Sequence, residues 1–121
     1  MLFDVERTTV SGRPTLTVRG ELDLATAPEL ATALDAQLAS APSALVLDLT
    51  PTVFLDSSGA RGLIQANRKC AAAGVPLHVI CPRSNAPVRL VIDLLELERL
   101  VPIVESPADI GTPVADQNGR P

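Results

Sequence analysis

Aromatic side chains are nearly missing from this chain: Phe3 and Phe54 are the only two, and there is no Trp or Tyr. A platform for single-stranded nucleic acid, which stacks bases on aromatic rings, cannot be built from that supply. Basic charge is scarce as well. Ten Lys and Arg against fourteen Asp and Glu leave a net charge of −4, without the cationic footprint that a phosphate backbone demands. The single histidine, His78, and the two cysteines, Cys70 and Cys81, form no metal-ligand motif. Neither a G-x-x-x-x-G-K-S/T loop nor a G-x-G-x-x-G turn occurs, so no nucleotide cofactor is expected. The cysteines fall in a predicted helix and at the end of a predicted strand, and they read as free thiols packed as small hydrophobes. The start, MLFDVERTTV, is acidic and lacks the apolar region of a signal peptide. The longest apolar stretch, 88–104, is broken by Arg89, Asp93, Glu96, Glu98 and Arg99, so it does not read as a membrane span. The expectation is a soluble, cytoplasmic protein with no nucleic-acid or membrane partner.

What is present suits one globular domain. The chain has 121 residues, 46% of them hydrophobic and 20% charged, enough to bury a core. LFDVERTTV and PTLTVRGEL flank Ser11-Gly12-Arg13 and predict an antiparallel hairpin, with Leu16 and Val18 on its one buried face. In TAPELATALDAQLAS, Thr26 and Glu29 have the spacing of a capping box, and Leu30, Leu34 and Leu38 form the buried stripe of a helix. ALVLDL (44–49) is almost continuously apolar, as a strand covered on both faces should be. A helix follows with Leu63, Ile64, Asn67, Cys70 and Ala71 in period and Gly74 as its stop. VPLHVIC (75–81) reads as a strand, and Ser84 is placed to cap a helix through Leu95 with Leu90, Val91, Leu94 and Leu95 inward. LVPIV (100–104) is a last short strand. The pattern predicts an α/β single domain: a mixed β-sheet, an N-terminal antiparallel hairpin plus parallel β-α-β-α-β, flanked by helices. The domain is expected to span 1–105. The segment 106–121 loses periodicity and reads as a C-terminal tail, with a short helix near Pro107 and disorder towards its end.

The stretch that carries chemistry is VFLDSSGARGL (53–63). Ser57 and Ser58 stand where a predicted helix begins, beyond the carboxyl end of a parallel strand. Free N–H groups and the helix dipole favour an anion there by roughly 0.3–1 kcal/mol when the site is exposed. Asp56, and Asp23 from GELD, would oppose it by like-charge repulsion. Three readings follow from the residues. Asp56, Ser57 and Ser58 cap the helix while Gly59 permits a tight turn; or Ser57 receives a phosphate, adding about −1.5 to −2 charges; or a serine acts as nucleophile. The last lacks both a G-x-S-x-G elbow and a histidine outside a strand, so no catalytic residue is expected. Asp23, Asp48 and Asp56 could gather at one sheet end and hold Mg²⁺ weakly, but capping carboxylates account for them better, and no metal is expected.

Four segments in order, GELDLATAPEL, LVLDLTPTVFLDSSGARGLI, AAAGVPLHVICP and SNAPVRLVIDLLELERLVPI, resemble the STAS domain of anti-sigma factor antagonists over roughly residues 3–105. The resemblance implies a partner-switching phosphoprotein without enzymatic activity. Unphosphorylated, such a protein sequesters an anti-sigma factor that is also an ATP-dependent serine kinase, and so regulates sigma-factor-dependent transcription. The kinase modifies the serine after the motif aspartate, here Ser57. The modified antagonist is released, and a metal-dependent serine/threonine phosphatase resets it. Asp23, Asp56, Ser58, Gly59, Ala60 and Arg61 map to the switch site and its partner-binding surroundings. The resemblance also admits a STAS scaffold or accessory subunit of a larger signalling or transport assembly; the short tail favours the free-standing antagonist, as a monomer or weak dimer. Two departures stand out. Ala60 replaces the family's frequent large aliphatic residue; with Gly62 it either opens an exposed helix start to close approach by a partner or leaves the core a little less to pack there. Glu96, in Leu95–Leu97, replaces a turn glycine, so the preceding helix is expected to run longer or to end without a left-handed glycine.

Overall fold

The computed structural model describes residues 2–111. Strand β1 (Asp4–Val10) turns at Ser11-Gly12 into β2 (Arg13–Leu22), and the two pair antiparallel with Asp4 opposite Arg19 and Val10 opposite Arg13. β2 does not have one buried face, as its alternation suggested. It is the central strand: Thr15, Leu16, Thr17 and Val18 are all buried, because β2 also pairs in parallel with β3 (Leu45–Asp48) and, further along, with β4 (Thr52–Leu55). Both of its edges are therefore occupied. The register shifts between Gly20 and Glu21, where β2 passes from β3 to β4. Gly20 takes φ +93° there, and any Cβ would sit 2.9 Å from the Leu2 carbonyl oxygen, so only glycine fits this bulge.

β5 (Leu77–Ile80) lies beside β3 and β6 (Ile103–Val104) beside β5, both parallel, giving the order β1-β2-β3-β5-β6 with β4 against β2. The helices α1 (Ala27–Ala39), α2 (Ser57–Ala72) and α3 (Ala86–Leu94) supply the crossovers. This is the mixed sheet with flanking helices that the sequence pattern predicts. Inward residues of all three helices, Leu30 and Leu34, Leu63 and Cys70, Val88 and Ile92, join Leu45, Leu47, Val79 and Cys81 in one core. Both cysteines are free and buried. Burial pushes the Cys81 thiol up to about 11 against the opposing pull of Arg89, so it stays protonated and unreactive.

Three local expectations are corrected. Thr26 does not form a capping box with Glu29; its hydroxyl is committed backwards, accepting from the Asp23 N–H at 2.9 Å and donating to the Glu21 carbonyl at 2.8 Å. Ser84 does not cap α3. Asn85 precedes the helix, and its amide instead donates to the carbonyls of Leu49 (3.0 Å) and Thr52 (2.8 Å), clamping the β3–β4 connection. The inward face of α3 is also different: Val88, Arg89 and Ile92 are buried, while Leu90 and Leu94 are 59% and 72% exposed and Leu95 is exposed too. Apolar residues ring this helix almost completely, so periodicity alone cannot choose a face. Arg89 chooses it. Its guanidinium is buried, donates to the Cys81 carbonyl at 3.1 Å and pairs with Glu98 at 3.2 Å.

α3 ends at Leu94 rather than running on, and it ends without glycine: Glu96 itself adopts the left-handed conformation, φ 51°, ψ 43°. Near the other end of the sheet, Ser106 and Asp109 cap a 3₁₀ turn at Pro107–Ile110, and buried Arg13 donates to the Gly111 carbonyl. The expected disorder of the tail's end falls on 112–121, outside the described residues.

Two stability outcomes follow. A side chain on Gly59 would collide with the Leu22 carbonyl group and sit 2.7 Å from Leu55 Cδ1, so Gly59→Ala should destabilise the domain by roughly 1–3 kcal/mol. Urea unfolding followed by circular dichroism measures this, and an unchanged midpoint would contradict the packing. At Glu96 the strain should be removable. Glu96→Gly should stabilise by about 0.5–1 kcal/mol, since its exposed pair with Arg99 at 2.7 Å contributes little; a lowered melting temperature would count against the assignment.

Candidate functional site

The site is built where β2 and β4 end side by side. Leu22 pairs with Leu55 in register, and the chain then turns at Asp56 into α2. Asp56 is the N-cap in extended conformation, and its Oδ1 accepts the Gly59 N–H at 2.8 Å. Its own N–H donates to the Leu22 carbonyl at 3.4 Å, and its carbonyl accepts from Ala60 at 2.8 Å. This half-buried carboxylate serves to start the helix. Ser57 is the first helical residue and is exposed. No hydrogen bond engages its hydroxyl among the described residues, so Ser57 does not share in the capping that Asp56 performs. Ser58 is half-buried and faces α1. Arg61, one helical turn beyond Ser57, is exposed.

Asp23 reaches the same end of the sheet from the β2–α1 turn. Its Oδ1 accepts from the N–H groups of Ala25 (3.0 Å) and Thr26 (3.1 Å), and its carbonyl accepts from Ala27 at 2.8 Å. It is a loop-building carboxylate beside the helix start. Asp48 likewise closes its own turn, accepting from the Thr50 N–H at 2.9 Å and hydroxyl at 2.6 Å. Among the described residues no group of three metal-ligating side chains converges.

Two residues of the expected contact surface are withdrawn from it. Gly59 is buried with its Cα against the Leu22 carbonyl, and Ala60 is only 2% exposed, packed into the core. Neither can touch a partner directly. The small residue at 60 is small because the start of α2 lies pressed onto the sheet, not because a partner approaches there. The exposed residues of this helix start are Ser57 and Arg61. Thr26 was legible only as a cap for its own helix, whereas it braces the β2–α1 turn. Asn85 went unrecognised, a polar residue between apolar elements being the available signal, because its partners lie far along the chain.

His78 does not join this constellation. It lies on β5 against a depression lined by Asn67, Ala71 and Gly74, and Asn67 is ten residues along α2 from Ser57, about 15 Å. Burial, with Arg13 adding to it, pulls the His78 pKa below the ordinary histidine value. The geometry keeps His78 apart from Ser57.

Comparison with solved structures finds an anti-sigma factor antagonist from Mycobacterium paratuberculosis at 29% identity and TM-score 0.72, covering 89% of this chain and 90% of that one. TM1081 of Thermotoga maritima has 19% identity, TM-score 0.74 and coverage of 88% and 90%. The anti-sigma factor antagonist SpoIIAA in its unphosphorylated form has 20% identity, TM-score 0.60 and coverage of 90% and 93%; at such identities the likeness is one of fold. Among curated proteins no match was found. The described residues contain no helix long and apolar enough to cross a membrane. The sequence itself matches the STAS domain over residues 4–110, and the chain therefore belongs to the STAS domain family.

Proposed function

We propose that this protein is an anti-sigma factor antagonist that works as a phosphorylation switch at Ser57. The observation that carries the reading is the contrast along residues 56–60. Asp56 is spent on the cap, Ser58 is half-buried against α1, Gly59 and Ala60 are buried, and Ser57 presents an exposed hydroxyl that no hydrogen bond engages among the described residues. Unphosphorylated, the surface holding Ser57, Ser58 and Arg61, with Asp23 and Asp56 behind it, binds an anti-sigma factor that is also an ATP-dependent serine kinase, and so frees a sigma factor. Transfer of a phosphoryl group to Ser57 adds about −1.5 to −2 charges beside two carboxylates, and the complex separates. A serine/threonine phosphatase restores the hydroxyl. The likeness to an anti-sigma factor antagonist at 29% identity, and to SpoIIAA, whose structure is that of an unphosphorylated form, supports this assignment.

The test combines the purified protein with candidate anti-sigma kinases and ATP, maps the modified residue by mass spectrometry and measures binding by calorimetry. Ser57→Ala should bind the kinase yet resist modification, and Ser58→Ala should still be modified. Ser57→Asp should weaken binding about tenfold or more, since like charge brought into an interface costs several kcal/mol. Phosphate found on Ser58, or incorporated unchanged into Ser57→Ala, would overturn the site.

A further inference from the structure

Between α1 and α2 the surface opens into a groove of about 420 Å³, a size typical of small-ligand sites. Ala31, Gly62 and Ala66 line it over the buried Leu30 and Leu34, and Leu24, 75% exposed, stands at its edge. Its charge is unusual for this molecule. Acid outnumbers base in the whole chain, yet the groove is lined by Arg61 and Lys69 and by no carboxylate. Lys69 is neutralised by Asp35 at 3.0 Å, whereas Arg61 makes no ion pair among the described residues. The two helices nearly touch below the opening: a Cβ on Gly62 would stand 3.5 Å from the Ala27 methyl. A slot over such a contact accepts a chain one methylene wide more readily than another helix, about 10 Å across.

We propose that this groove binds an amphiphile of the fatty-acid class, a straight apolar chain with one carboxylate head. The chain lies along Ala31 and Gly62 above the buried Ala66, covers Leu24 and removes their exposed apolar surface from water. The carboxylate meets the Arg61 guanidinium, a planar donor suited to it. This binding does not depend on Ser57 being a phosphorylation site.

The experiment titrates the full chain with sodium decanoate below its micelle concentration, by calorimetry and by amide NMR, beside hexanoate and 1-decanol. Decanoate should bind saturably, with shifts concentrated at residues 24–34 and 58–69. Hexanoate and decanol should each bind about tenfold or more weakly, one lacking chain length and the other the charge. Arg61→Gln, a surface change, should weaken decanoate about tenfold without altering the melting temperature. Gly62→Leu should fill the slot and abolish binding, its fold checked by the same melting curve. Absence of saturable binding at millimolar decanoate, equal binding of decanol, or indifference to Arg61→Gln would each overturn the proposal. So would sedimentation showing a dimer that Gly62→Leu dissolves, which would assign the groove to a second copy of the chain.

Discussion

The constraint on which the rest of this structure depends is the lack of space between the first turn of α2 and the carbonyl of Leu22. Gly59 has no side chain because one would occupy the position of that carbonyl. The same carbonyl accepts from Asp56, and Asp56 in turn fixes Gly59 through its side chain. Three residues from two elements thus lock the end of β2 to the start of a helix. With Gly59 and Ala60 held against the sheet, the helical repeat must turn Ser57 and Arg61 outward. Their exposure follows from packing.

That arrangement also settles how charge is distributed at the site. Asp56 and Asp23, the carboxylates at the same end of the sheet as Ser57, are not free groups looking for a cation. Asp56 accepts from the helix and Asp23 from its own turn. Their hydrogen bonds are local, and both carboxylates stand beside a hydroxyl at the positive end of a helix dipole. An anion added at Ser57 is stabilised by the dipole from within the fold and repelled by the carboxylates across the surface. Its net effect is therefore felt most by whatever docks from outside.

Much of this was legible in the sequence, and the failures have physical causes. The continuous apolar run at 44–49 announced a strand buried on both faces, and DSSG before a helical pattern placed the N-cap. The hairpin misled, because alternation of Thr and apolar residues in β2 suggested one solvated face; threonine is small and amphipathic enough to be buried, and Thr52 donates to the Val18 carbonyl inside the sheet at 2.7 Å. The face of α3 was hidden because its orientation is set by Arg89, a charged residue that sequence reasoning sends outward. Ala60 stayed open between surface and core for a related reason, a small residue at a helix start giving no sign of which way it points. At Glu96 the two expected outcomes, a longer helix or an end without a left-handed glycine, could not be separated from sequence, because a non-glycine residue in the left-handed conformation leaves no composition signal; the second is what occurs.

A rigid site limits the ways in which a switch can operate. If α2 began with a free end, a phosphate on Ser57 could pull the first turn into a new shape and transmit the change through the helix. Here the first turn is pinned by a cap at 2.8 Å and a glycine with no clearance, and the helix behind it is buried through Leu63, Ala66 and Cys70. Moving it would require breaking the packing of the core, which small electrostatic terms of about 1 kcal/mol cannot drive. On the proposed reading the phosphate therefore leaves the fold as it is and changes the surface it presents, so that binding and release are decided at the interface by charge and not by a rearrangement within the domain.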